Sequence, residues 1–401
     1  MNKVILNDCL KTMKMMEDES VDVIYLDPPF FTQRKQAGRL KNSEKILEFN
    51  DLWKSIDEYM EFMKARLVEM RRVLKKTGSI FLHCDKTASH YLRVLLDQVF
   101  GMDKFQSEII WAYRRWSNSK KGLLNAHQNI YFYSKTNNFK FNTLYTDYSA
   151  TTNIDQILQQ RERDKNGKCV YKKDKNGNIV SEREKKGVPL SDIWEIPFLN
   201  PKAKERVGYP TQKPILLIER IIKISSDEGD VILDPFCGSG TTLVAAELLK
   251  RNYIGIDISR DAVEITKSRL KNPIKTESVL LNDGIEKYQN KTQDELNILK
   301  SIGAVPVQRN SGIDGFILNK KTNQTIAIKI QKDGENLLEA KRKLIEASKN
   351  KDCQYKVLIQ NENAEQQIPS NSTDSTDHDV VIINTYKNIL KDAIVNFKER
   401  P

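Results

Sequence analysis

Val231-Ile-Leu-Asp-Pro-Phe-Cys-Gly-Ser-Gly-Thr-Thr242 is the stretch whose reading decides the fold class. An apolar run without polar alternation is what a parallel strand covered on both faces looks like, and this one feeds into Gly238 and Gly240 and then into a helix over 240–250. The glycines remove side chains that would hold a ligand off the backbone, and the open N–H groups of the helix start favour a negatively charged group. The next strand, over 253–257, closes on Ile254-Gly-Ile-Asp257. Its acid stands seventeen residues after Gly240, where a doubly wound sheet offers a carboxylate to ribose hydroxyls. The spacing departs from the dinucleotide fingerprint, because Phe236-Cys-Gly-Ser-Gly240 has no third glycine and Asp234 stands at the strand end. An acid there suits a cationic amino group, which a nicotinamide dinucleotide lacks. S-adenosylmethionine carries both an α-amino group and a ribose diol.

After Gly240 only about two strand and helix units remain before the chain leaves the fold, fewer than a doubly wound sheet needs, so the missing strands must lie upstream. Residues 3–6 and 21–26 read as buried strands. Met60, Met63, Leu67, Met70 and Leu74 recur at alternating spacings of three and four, which predicts a helix over 56–76 with Gly78 as its stop. A strand over 79–83, a helix over 87–100 ended by Gly101, and strands over 107–113 and 129–134 follow. The expected class is α/β, a Rossmann-like doubly wound mixed sheet.

The upstream strand Val21-Asp-Val-Ile-Tyr-Leu-Asp-Pro-Pro-Phe30 ends in an acid, two prolines and an aromatic ring. Pro28 and Pro29 lack N–H groups, so carbonyls at this turn stay open as acceptors, and their fixed φ stiffens it. An exocyclic amine on a base ring is a poor nucleophile. Acceptance of its two hydrogens by the Asp27 carboxylate and the Pro28 carbonyl would localise its lone pair toward a methyl donor, with Phe30 stacked on the base.

Asp27-Pro-Pro-Phe30 together with Asp234-Pro-Phe-Cys-Gly-Ser-Gly240 resembles the S-adenosylmethionine-dependent amino-methyltransferases of DNA. The acceptor motif comes first, then Thr211-Gln-Lys-Pro214, then the cofactor loop, an order that resembles the circularly permuted beta class. The resemblance spans about residues 1–275. It implies a class I methyltransferase sheet, S-adenosylmethionine as cofactor and double-stranded DNA as substrate. Asp27, Pro28, Pro29 and Phe30 would be catalytic. Asp8 would meet the cofactor adenine and Asp257 the ribose. Asp234, Gly238 and Gly240 would surround the methionine part, Phe236 and Thr211 would complete the cofactor site, and Lys213 would pair with the methionine carboxylate. Tyr209 stands where the family often has His.

Cytosine C5 chemistry needs a nucleophilic cysteine, typically after a proline, and no cysteine here follows a proline. The Asp at the first motif position resembles adenine N6 enzymes more than cytosine N4 ones. Cytosine N4, or a non-catalytic DNA-binding relative, is the alternative. A base inside a duplex must be flipped out to reach Phe30.

The 65 Lys and Arg exceed the 54 Asp and Glu, giving a net charge of +11 that suits a phosphate-rich partner. No run approaches the roughly 18 apolar residues of a membrane span, and five scattered cysteines suit a reduced, cytoplasmic setting with no structural metal. Residues 1–136 and 205–285 are expected to form the catalytic domain. Between them, 137–204 is expected to be a target-recognition insertion, with hairpins at the Asp-Lys-Asn-Gly repeats of 164–167 and 174–177. Arg114, Arg115, Lys120 and Lys121 flank it as expected DNA contacts. His83-Cys84-Asp85 reads as a packed strand end and not as a metal site. Over 290–401 an accessory domain is expected, where Asp314 and Lys329 faintly resemble a restriction-type nuclease core. Ala327 stands there in place of a metal-binding side chain. A nucleoid location follows from DNA binding, while a cognate restriction endonuclease and a homodimer are left open.

Overall fold

The computed structural model describes residues 2–41, 44, 46–113, 122–146, 158–181, 187–277, 289–319, 324–349, 351, 353–360 and 380–383. The chain divides into two compact units, Met1–Leu281 and Asn282–Pro401.

Eight strands build the main sheet of the first unit: β1 (Lys3–Leu6), β2 (Val21–Leu26), β3 (Leu74–Cys84), β4 (Phe105–Ala112), β5 (His127–Ser134), β6 (Ile193–Glu195), β7 (Val231–Asp234) and β8 (Asn252–Asp257). Their spatial order is β1-β8-β7-β2-β3-β5-β4-β6, with β5 antiparallel to both neighbours and every other pair parallel. Side chains alternate across this sheet and fill two cores. Ile24, Leu26, Ile80 and Leu82 pack with α2 (Ile56–Val73) and α3 (Ser89–Phe100) on one face. Val23, Tyr25 and Phe81 pack with α4 (Ile215–Ser225) and α5 (Thr241–Leu248) on the other. Residues buried on both faces explain why β7 reads as an apolar run up to Asp234 and β2 does so on either side of Asp22.

The helix expected over 56–76 ends at Val73. Leu74 turns extended at φ −72° and ψ 134°, because Val21 of β2 captures it as a strand partner. Gly78 lies inside β3 and is no helix stop. A Cβ there would stand 2.6 Å from Leu74 Cδ1 and 2.7 Å from the Asp22 carbonyl, so glycine permits the close crossing. Helix propensity yields to sheet pairing here.

Both Asp-Lys-Asn-Gly turns form. Asp164 Oδ1 accepts from the amides of Asn166 and Lys168, Asp174 Oδ1 accepts from those of Asn176 and Asn178, and Gly167 and Gly177 take φ of 77° and 85°. The strands Arg161–Arg163 and Cys169–Tyr171 pair antiparallel across the first turn. The expected insertion over 137–204 is not wholly separate, since β6 joins the main sheet beside β4 and buries Trp194 in the core. A hairpin of Arg34–Arg39 with Ile46–Asp51 follows the acceptor motif and was not anticipated. Helix α4 begins after Pro214, also without forewarning.

The second unit holds a five-stranded sheet in the order Val305–Pro306, Gly315–Asn319, Gln324–Ile330, Tyr355–Ile359, Val380–Ile383. The first three strands pair antiparallel and the last two are added parallel. The helix Leu337–Ser348 packs on Gln324–Ile330 and Tyr355–Ile359, with Asn336 as N-cap. The polar tract over 361–377 and the closing helix expected after it lie outside the described residues.

Candidate active site

Strands β7 and β2 are neighbours at the centre of the sheet, with Ile232 beside Val23 and Leu233 beside Ile24. Their carboxyl ends therefore deliver Asp234 and Asp27 to the same edge, at the point where chain connections diverge to the two sides of the sheet. A cavity of about 440 Å³ opens there. Asp8, Asp27, Pro28, Pro29, Phe30, Thr211, Lys213, Asp234, Phe236, Gly238 and Asp257 all line it. Gly240 stands one step back, at φ 75°, where a Cβ would lie 2.5 Å from Thr266 Cγ2. The loop is held from beneath by Arg269, whose Nη1 donates to the Ser239 carbonyl at 2.7 Å and to Thr241 Oγ1 at 3.1 Å.

The acids of the cavity are not equivalent. Burial pushes the Asp234 carboxyl up to about 7, against hydrogen bonds from Thr242 and the Phe236 amide. Such a group holds a proton readily when alone and gives it up when a cation arrives. Asp257 is also raised by burial, with Oδ2 accepting from the Gly238 amide and Oδ1 from the Ser259 amide, each at 2.8 Å. That carboxylate is aimed by backbone on both sides. Burial raises Asp8 less than the Lys11 amide and Arg66 lower it, so its carboxyl lies below the usual range. Its Oδ1 caps the helix Cys9–Lys14 and its Oδ2 accepts from Arg66 Nη2 at 2.7 Å.

Asp27 differs from all of these. Its Oδ2 accepts from Lys213 Nζ, while Oδ1 is shut off from solvent with no hydrogen-bond partner among the described residues. Burial pushes this carboxyl up and Lys213 draws it back. Lys213, expected to pair with the methionine carboxylate, lines the same cavity as Asp234, Gly238 and Asp257. Its ammonium bonds Asp27 Oδ2 and, at 3.3 Å, the Thr211 carbonyl. Thr211 takes φ 60° in the turn before α4, an uncomfortable conformation for a β-branched residue.

The surroundings of the cavity add contacts that no local pattern in the sequence signals. His83 is fully buried behind Phe30, and burial holds its ring neutral. Its Nε2 donates to Gln128 Oε1 at 2.9 Å, which leaves Nδ1 to accept the Tyr25 hydroxyl proton at 2.8 Å. No group of three or more potential metal ligands occurs among the described residues. Asp51, from the unanticipated hairpin, also lines the cavity, and burial lifts its carboxyl to about 6. Ile258 stands 77% exposed at the rim, directly after Asp257. An exposed Ile between an acid and a helix N-cap was the available signal. Arg114, Arg115, Lys120 and Lys121 lie outside the described residues. No helix among the described residues is long and apolar enough to cross a membrane.

This geometry has counterparts in known proteins. Type II methyltransferase M.HpaI of Haemophilus parainfluenzae is 32% identical over 268 residues, covering 67% of this chain and 74% of that one. Type II methyltransferase M.HinfI of Haemophilus influenzae is 27% identical over 318 residues, covering 75% and 78%. DNA adenine methyltransferase YhdJ of Escherichia coli K12 is 29% identical over 269 residues, covering 67% and 82%. The sequence pattern of the N6/N4 DNA methylase family matches residues 21–268, which is more than half of the chain and includes both strand-end motifs of the cavity. The chain belongs to the N6/N4 DNA methylase family and is a DNA methyltransferase.

Proposed function

We propose that this protein transfers the methyl group of S-adenosylmethionine to N6 of adenine within a short sequence of double-stranded DNA. The observation that carries this reading is the single cavity whose wall brings Asp27, Pro28, Pro29 and Phe30 together with Asp234, Gly238 and Asp257. The donor set fits the cofactor: Asp234 suits the α-amino group, Asp257 the ribose diol, and the glycine turn gives room for the methionine part. The cofactor supplies an electrophilic methyl group on a sulfonium. Asp27 and the Pro28 carbonyl accept the two hydrogens of the amine and turn its lone pair toward that methyl. Phe30 stacks on the flipped base. As the N–C bond forms, the amine sheds a proton to Asp27 and on to solvent.

The name of the YhdJ relative supports adenine as the base. The type II names of M.HpaI and M.HinfI support a place in a restriction-modification system, beside an endonuclease of the same specificity. We read the motif order as the permuted beta class, with the strand leading to the acceptor preceding the strand leading to the cofactor loop. The Asp-Lys-Asn-Gly hairpins are our candidate for target recognition. Deleting residues 161–181 should leave cofactor affinity within about threefold and relax DNA selectivity. Unchanged selectivity would remove that assignment. The central test is incubation with the methyl donor and unmodified DNA, followed by nucleoside analysis. N6-methyladenine is expected, N4-methylcytosine overturns the base, and no methylated base overturns the reading.

A further inference from the structure

Lys213 is 6% exposed and committed to the acceptor side of the cavity. Its Nζ donates to Asp27 Oδ2 and, at 3.3 Å, to the Thr211 carbonyl, and it stands 5.5 Å from the centre of the Phe30 ring. The turn that carries it is rigid. Gln212 spans it, accepting from the Val207 amide at 3.0 Å and donating to the Glu205 carbonyl at 2.8 Å, and Pro214 opens α4 immediately after. A lysine anchored in this way is not a loose surface cation that swings to whatever anion arrives.

We propose that Lys213 is a positioning residue for methyl transfer: by bonding Oδ2 of Asp27, it fixes that carboxylate in the cavity wall as an acceptor for the target amine. This deepens the reading above and rests on it. The polarity of the site explains the need. A protonated carboxyl would offer an O–H to the amine, donor facing donor, and could not draw on its hydrogens. The other titratable groups that face Asp27 are Tyr25 from β2, Tyr59 from α2, Cys84 from β3, Asp85 after it, Asp234 from β7 and Tyr209 before α4. None of them is a cation, and burial with the Asp85 charge favours the protonated form of Asp27. Lys213 opposes both. In the transfer the amine nitrogen bonds the methyl carbon, the sulfur–carbon bond breaks with its electron pair left on sulfur, and the nitrogen proton passes to the Asp27 carboxylate. Lys213 keeps its own protons throughout.

The test uses the full chain with Lys213→Met and Lys213→Arg. The Asp27 carboxyl is followed in the ligand-free protein by carbon NMR after selective aspartate labelling, with Asp27→Asn to assign the signal. In Lys213→Met its titration midpoint should rise by about one pH unit or more, and Lys213→Arg should bring it back. The acid limb of single-turnover methyl transfer should move up by the same amount, with S-adenosylmethionine affinity within about threefold of the parent. An unmoved midpoint together with an affinity loss of about tenfold or more would overturn the proposal and return Lys213 to the cofactor carboxylate. If Lys213→Met does not fold, Lys213→Gln takes its place under the same criteria. Failure of the parent protein to methylate adenine would defeat the functional reading, yet the ligand-free titration would still decide what Lys213 does to Asp27.

Discussion

Two buried lysines in this protein each bond a carboxylate, Lys213 to Asp27 in the first unit and Lys291 to Asp314 in the second. Asp27 lines a cavity, and its buried Oδ1 has no hydrogen-bond partner among the described residues. Asp314 keeps nothing free: Oδ1 accepts from Lys291 and, at 3.2 Å, from Lys332, and Oδ2 accepts from the Ile330 amide at 2.7 Å. Burial alone pushes the Asp314 carboxyl up, but the Lys291 and Ile330 hydrogen bonds outweigh it and hold the group below the usual carboxylate range. Lys329, the other residue that resembles a nuclease core, is spent on Glu335 at 3.1 Å and on the Ser311 carbonyl at 3.2 Å. The same pair of residue types thus builds a reactive site where a valence is left open beside a cavity, and a structural lock where every valence is filled.

The largest expected effect falls on the open pair. Asp27→Asn should lower methyl transfer by about a thousandfold or more while cofactor affinity changes only a few-fold, measured by transfer of a labelled methyl group and by equilibrium binding. Its amide oxygen still accepts from Lys213, so the fold should persist. Asp314→Ala should do the reverse. It strands Lys291 and should cost the second unit about 3 to 5 kcal/mol in denaturant unfolding, with the transfer rate per folded molecule unchanged. Because the folded Asp314 carboxyl titrates below its unfolded value, its contribution is whole above that unfolded value, about pH 4, and disappears as pH falls through the folded one. Loss of transfer activity in Asp314→Ala at full folding would break the comparison.

Smaller effects sharpen the cavity side. Gly240→Ala puts a Cβ against Thr266 at φ 75° and should weaken cofactor binding by about tenfold, read by calorimetry. Cofactor affinity should also fall as pH drops through about 7, since the protonated Asp234 carboxyl then competes with its pairing to the α-amino group. Asp234→Asn should bind weakly at every pH and flatten this profile. A profile that persists in the variant would take the amino group away from Asp234.

Most of the first unit was legible because its signals are local. Buried strands read as apolar runs, Gly101 ends α3, Ser259 caps the helix Arg260–Lys271, and the Asp-Lys-Asn-Gly turns make their own hydrogen bonds. What failed depended on partners distant in the chain. Leu74 joined a strand because Val21 lay beside it, and β6 entered the main sheet through Ile110, Trp111 and Ala112. Tyr25 and His83 are 58 residues apart, and nothing near either one announces their hydrogen bond.

By itself the sequence determined the chemistry available: an acid and two prolines at one strand end, an acid and a glycine turn at another, and a third acid beyond them. Each is set by residue type and short-range backbone geometry. Only the tertiary structure decided that β2 and β7 lie side by side, so that Asp27 and Asp234 share one cavity. It also decided that Lys213, 186 residues from Asp27, bonds that acid. Local patterns specify what a group can do, whereas the pairing of strands in space specifies which group it meets and which of its valences stays open.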